Sequence, residues 1–185
     1  MKLVHTSLPG CLVIEPRVFE DDRGFFYETL NLDRLAMHGL ALDVRQANVS
    51  RSRRGVIRGL HYQWPMPQAK LVSVLQGEVL DVAVDIRRGS PTFGRYTSVL
   101  LSGENRRQMW IPEGFAHGFA TVSDEALLTY ICSETYQPAA DAAIRWDDPQ
   151  LAIDWPVTDP LLSPKDAAAP LLSAIEPARL PVYQP

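Results

Sequence analysis

Lys70-Leu71-Val72-Ser73-Val74-Leu75-Gln76-Gly77-Glu78-Val79-Leu80-Asp81-Val82-Ala83-Val84-Asp85-Ile86 carries the clearest structural signal in the chain. Aliphatic and β-branched residues dominate both arms, and a Gln76-Gly77 turn divides them, a pattern that predicts a β-hairpin. In the second arm Leu80, Val82, Val84 and Ile86 share one face, with Asp81, Ala83 and Asp85 on the other.

The same texture extends outward. Fifteen prolines and eleven glycines interrupt short apolar runs, which favours many strands over long helices. Leu12–Phe19 predicts a first strand, Glu20–Gly24 a turn, and Phe25–Leu30 a second strand. Asn31 is placed to cap a short helix with an apolar stripe of Leu32, Leu35 and Ala36, and Gly39 to close it. Residues 44–49 alternate as a strand, and residues 50–55 read as a basic loop. Further strands fall at Tyr96–Leu101, Gln108–Ile111, the end of Pro112–Phe119, and Ala126–Ser133. The sum is about nine or ten strands with hardly any helix, an all-β antiparallel jelly-roll sandwich or barrel. The 185 residues read as one domain with an irregular Pro/Ala-rich tail from about residue 150, in which Ser163 caps a helical turn that has Pro164 at its first position.

Composition narrows the function. A net charge of −4 with scattered charges argues against a nucleic-acid surface but leaves room for a small anionic ligand held by local arginines. Cys11 and Cys132 are far apart and read as reduced thiols. With no signal-peptide pattern and no apolar run near the ~20 residues of a membrane span, a cytoplasmic protein is expected.

Chemistry concentrates in Arg58-Gly59-Leu60-His61-Tyr62-Gln63, a strand-like run that spends two ionisable side chains and a glycine. Histidine, with an ordinary pKa of about 6.5, suits a general base. His61, Arg58, Lys70, His117, Tyr130 and Asp166 all lie in or beside apolar runs, and one shared polar cavity accounts for them together, since burying each alone is costly. Strict alternation sends Arg58 and His61 to opposite faces unless Gly59 permits a bulge. Tyr130 reads as a core tyrosine or a general acid, Lys70 as a snorkelling cation or an oxyanion stabiliser, and Asp166 as a helix cap or the partner of His61.

Gly55-x5-His61 with Tyr62-Gln63, and Pro112-x-Gly114-x2-His117, resemble the two cupin motifs. Gln63 stands where cupins carry a second histidine, and no glutamate follows until Glu78, so no metal is expected.

From about Cys11 to Asp166 the chain resembles the dTDP-4-dehydrorhamnose 3,5-epimerase family. The resemblance rests on Asp22-Arg23-Gly24-Phe25-Phe26, Gln46-Ala47-Asn48, Arg58–Gln63, Pro112–Phe119, Ile144–Pro149 and Ser163-x-Lys165-Asp166. It implies a metal-free, cofactor-free homodimeric jelly roll acting on a dTDP-linked 4-keto-6-deoxyglucose, with no nucleic acid or membrane partner. It also implies His61 as base with Asp166 behind it, Tyr130 as acid, and Lys70 at the enolate oxygen. Arg23 and Glu28 would reach the nucleotide, Gln46, Asn48, Arg58 and His117 the diphosphate or sugar, and Asp141 and Lys165 further substrate positions. The His61–Lys70 spacing is one residue shorter than is usual in the family, and Asp141 stands where glutamate is typical. The alternatives are epimerisation at one carbon of a related 4-ketodeoxysugar, 3,4-ketoisomerisation, a non-catalytic sugar-nucleotide binder, and a metal-dependent cupin oxygenase.

Overall fold

Both arms of the Lys70–Ile86 stretch are strands, but they do not pair with each other. The computed structural model describes residues 1–184. Its strands are β1 (Lys2–His5), β2 (Leu12–Glu15), β3 (Val18–Asp21), β4 (Gly24–Tyr27), β5 (Gln46–Arg53), β6 (Ile57–Gln63), β7 (Lys70–Gln76), β8 (Glu78–Asp85), β9 (Tyr96–Ser102), β10 (Gln108–Ile111), β11 (Phe115–Thr121), β12 (Glu125–Cys132) and β13 (Asp141–Ala143). Two short helices, α1 (Leu32–Met37) and α2 (Pro164–Ala167), and two 3-10 turns complete the chain. A six-stranded sheet runs β1-β2-β10-β7-β12-β5, a five-stranded sheet β13-β6-β11-β8-β9, and β3-β4 stand apart as a hairpin; every pairing within these sheets is antiparallel. This is the expected jelly-roll arrangement.

The expected β7–β8 hairpin is therefore corrected. β7 lies between β10 and β12, and β8 between β11 and β9, so the chain changes sheets at Gly77. Gly77 has φ +76°, and a Cβ there would meet the Glu125 carbonyl at 2.0 Å, so the corner is open only to glycine. Alternation along β8 is kept. Val79 and Ala83 enter the space between the sheets, while Val82, Val84 and Ile86 lie in a second core on the outer face of the five-stranded sheet. Both faces are covered, and Asp81 and Asp85 are fully buried rather than facing water.

Other expectations need adjustment. The first strand breaks at Pro16-Arg17 into β2 and β3, β4 ends at Tyr27, and the turn between β3 and β4 is only Asp22-Arg23. In α1 the Asn31 side chain accepts from the Arg34 amide as expected, but of its stripe only Leu35 is buried, because a six-residue helix turns one residue to the sheet. The basic segment expected to loop is strand: β5 runs to Arg53, paired with Glu125, since the backbone of β12 supplies the ladder bonds. β13, within a segment not assigned to any strand, pairs with β6.

The tail covers the second core. Leu151, Leu172 and Leu180 pack on Leu60, Val84 and Ile144. Arg87 fixes its end, with its guanidinium 4.4 Å from the Phe115 ring centroid and 5.0 Å from that of Tyr183 while donating to Asp85. No helix among the described residues is long and apolar enough to cross a membrane.

The expected bulge at Gly59 is present. His61 faces His117, but Arg58 faces Phe119, so three steps along β6 oppose two along β11. Gly59 has φ +119°, and a Cβ there would lie 2.6 Å from Gly118 Cα and 2.7 Å from the His117 carbonyl. Both backbones would have to shift. Gly59→Ala is expected to cost about 2–4 kcal/mol, read as a melting temperature lower by roughly 5–15 °C; an unchanged melting curve would refute this account of the bulge.

Candidate active site

Between the sheets the side chains change from apolar to polar toward one end. In the six-stranded sheet Val72, Tyr130 and Asn48 stand side by side across β7, β12 and β5, and the next inward row is Lys70, Cys132 and Gln46. From the opposing sheet β6 contributes His61 and Gln63. The polar members of these rows, with Cys132, line a cavity of about 400 Å³ that has Asp141 and Lys165 at its edge, within the size range of small-molecule sites; Val72 belongs to the core behind it.

His61 reaches the cavity because the bulge re-aims β6. Its Nε2 is 2.6 Å from Asp166 Oδ1; the histidine side chain is 35% exposed and the aspartate 3%. Asp166 arrives through the tail: Leu161 bonds to Gly55 and Ile57 beside β6, and Ser163 then caps α2, its hydroxyl accepting from the Asp166 amide at 3.1 Å. Asp166 is thus both in the capped turn and the partner of His61. Burial opposes its ionisation, but hydrogen bonds from His61, Ser163 and the Gly59 amide outweigh burial and hold the carboxyl below its usual range. With Nε2–H donating to this carboxylate, Nδ1 is left as the basic nitrogen of His61.

Tyr130 faces this dyad from the other sheet. Burial pushes its hydroxyl pKa upward, Cys132 adds to the rise and Arg58 opposes it, so it is a protonated donor at neutral pH. Lys70 is buried beside Cys132, and desolvation lowers its pKa against the opposing influence of nearby acids. An amine, a phenolic hydroxyl and an imidazole are thereby presented to one space from two walls.

The remaining expected residues divide. Gln46 and Asn48 line the cavity and bond to each other at 2.8 Å. Arg58 lines an adjoining recess with Asp166, its Nε donating to Ser52 Oγ at 3.0 Å. Asp141 accepts from Lys165 and from the Tyr136 hydroxyl, so the shorter carboxylate is engaged within the chain. His117 does not line the cavity as expected. It is 6% exposed and bonds Asp81 at 2.8 Å, because inward alternation on β11 carries it beneath the polar floor. Arg23 and Glu28 are also outside the cavity. Arg23 pairs with Asp21 on the exposed β3–β4 turn, and Glu28 accepts from Arg34 and Asn31.

Sequence reading missed Asp81, Cys132 and Tyr136. Asp81 did leave a signal, a carboxylate alternating with core residues, but without a partner in view. Tyr136 sits in a loop that has no periodicity to read. Gln63, at the position of the missing cupin histidine, ties two rim loops together. It donates to the carbonyls of Met66 and Thr135 and accepts from the Gln137 amide. Among the described residues no three His, Cys, Asp or Glu side chains converge to hold a metal ion.

Comparisons with known proteins fit this geometry. A family model described as dTDP-4-dehydrorhamnose 3,5-epimerase matches residues 5–174. A Pseudomonas aeruginosa protein named dTDP-4-dehydrorhamnose 3,5-epimerase is 52% identical over 168 residues, covering 90% of this chain and 93% of its own. A Legionella pneumophila dTDP-6-deoxy-D-glucose-3,5-epimerase, solved with dTDP-4-keto-L-rhamnose, superposes with a TM-score of 0.97 at 52% identity, covering 100% of this chain and 99% of its own. A 3′-monoepimerase from Streptomyces bikiniensis, solved with dTDP-quinovose, gives 0.89 at 38% identity, covering 96% and 91%. On this shared sequence and architecture, the chain belongs to the dTDP-4-dehydrorhamnose 3,5-epimerase family.

Proposed function

We propose that the protein inverts carbon 3 and carbon 5 of dTDP-4-dehydro-6-deoxy-D-glucose to give dTDP-4-dehydro-L-rhamnose. The observation that carries the reading is the His61–Asp166 dyad on one wall of the cavity with Tyr130 and Lys70 on the other. Both carbons flank the carbon-4 ketone, so both carry hydrogens made acidic by it. His61 removes such a proton, the C–H electron pair moves into a new carbon–carbon double bond, and the carbonyl oxygen becomes an enolate. The Lys70 ammonium stabilises that oxygen. Tyr130 then gives its proton to the opposite face of the carbanionic carbon. The carbonyl reforms with inverted configuration, His61 releases its proton to water, and the tyrosinate recovers one. No redox change occurs. Gln46, Asn48, Arg58, Asp141 and Lys165 surround the cavity or its adjoining recess with groups suited to a sugar diphosphate.

A second reading, inversion at only one carbon of a related nucleotide-linked 4-ketodeoxysugar, is favoured by the same fold in a protein named as a 3′-monoepimerase. We further infer a homodimer. Phe19, Phe25 and Phe26 on the β3–β4 hairpin are 50%, 56% and 66% exposed, an apolar surface that a second copy would cover. Such packing is also how Arg23 and Glu28 would meet a nucleotide that their own cavity keeps from them. Sedimentation should give twice the 20.7 kDa chain mass, and a purely monomeric species would refute the homodimer.

The primary test is incubation with the keto sugar in heavy water, read by NMR. Deuterium at carbon 3 and carbon 5 is expected; label at one carbon selects the second reading, and no label refutes both. His61→Asn should lower turnover by about 10²–10⁴ while the melting curve is kept. Tyr130→Phe should still exchange the substrate hydrogen but lose most inverted product; equal losses of both would count against its role. Because hydrogen bonds hold the Asp166 carboxyl below its usual range, its protonation is expected to cost activity only as pH falls below the ordinary carboxylate range, with activity kept above it. Asp166→Asn should lower kcat at every pH without creating a new limb.

A further inference from the structure

Asp81 is fully buried and has no role in the reaction as drawn above. It enters the space between the sheets in alternation with Val79 and Ala83. Its Oδ1 meets His117 Nε2 at 2.8 Å, while Oδ2 is buried with no hydrogen-bond partner among the described residues. His117 stands directly opposite His61 in the β6–β11 ladder, between Phe115 and Phe119 along its own strand. Lys70 enters the same space from the facing sheet, in line with Val72 and Val74, and makes no hydrogen bond or ion pair among the described residues. A buried ammonium at the wall of the cavity and a bare carboxylate oxygen buried behind it are each costly alone and complementary together.

We propose that Asp81 is a positioning residue: with His117 it forms a buried counter-charge behind the cavity that keeps Lys70 cationic and aimed at the enolate oxygen. The inference rests on the epimerase reading above. The other groups around Lys70 do not supply that charge. Cys132 would do so only as a thiolate, which burial disfavours. Asp141 is already bonded to Lys165 and Tyr136. Tyr130 is held protonated, and Lys165 and a protonated His61 would add positive charge. Burial keeps His117 neutral, so it orients Asp81 by a hydrogen bond without cancelling its charge.

The test is the rate–pH profile of Asp81→Asn in the full chain. Removing the negative charge makes the Lys70 ammonium easier to deprotonate, so the basic limb should move down by about one pH unit. On the basic side of the limb kcat/KM should fall about tenfold, the ratio set by a one-unit move, with KM changed less than about twofold. Asp81→Glu, which restores the charge, should recover the limb. An unmoved limb, or a loss confined to KM, would overturn the proposal. Should the asparagine variant not fold, the ¹⁵N signal of the Lys70 Nζ in the unmodified protein decides: an ammonium at pH 7–8 supports the counter-charge, and a neutral amine overturns it. That signal needs no substrate, so failure of the epimerase reading would show separately, as absent deuterium exchange.

Discussion

The backbones of β6 and β11 approach each other at Gly59 and Gly118 more closely than any side chain would allow, and the site depends on that approach. It accommodates one extra residue in β6, which turns His61 toward the cavity although Arg58, three positions earlier, also serves the site from its own side. It also brings the Gly59 amide to Asp166, so the same irregularity aims His61 and anchors its partner. A regular ladder would have matched Arg58 and His61 to opposite faces and left the carboxylate short of a donor. The constraint is steric, and glycine is the residue that meets it.

The sandwich supplies the rest by division of labour. Inversion at a carbon requires a base and an acid on opposite faces of the sugar. Two facing sheets can present such groups from opposite walls without long loops: His61 projects from one and Tyr130 with Lys70 from the other, as the proposed mechanism needs. The positions are held by ladders whose inner residues elsewhere are Val72, Val79, Ala83, Phe119 and Leu128. Polar residues replace apolar ones along the same inward rows, so the cavity is an end of the core rather than an addition to it. The cost of placing charge there is offset in part by partners: Asp166 bonds His61, Asp141 bonds Lys165, and one oxygen of Asp81 bonds His117.

The tail is part of this construction. Its leucines cover the outer face of the five-stranded sheet, and its contacts beside Gly55 and Ile57 deliver α2 and Asp166 to the end of β6. His61 and its partner lie 105 positions apart in the chain. Strand pairing and packing of the tail bring them within hydrogen-bond distance.

The sequence by itself determined the strand-rich class, most strand positions, the capped turn at Ser163, the need for a bulge at Gly59 and, of the six ionisable residues expected to share a cavity, the three that do: His61, Lys70 and Tyr130. These follow from local periodicity, glycine placement and the energetic cost of isolated buried charge. It did not determine the partners of the strands. Gln76-Gly77 reads as a hairpin turn, yet the chain crosses between sheets there, and β7 and β8 each pair with two other strands, an inner position a lone hairpin would not give them. Nor did it reveal that His117 would bond Asp81 beneath the cavity, or that Arg23 and Glu28 would lie outside the cavity of their own chain. Alternation fixes which side of a strand a residue takes. Only the packed sheets decide what that side meets.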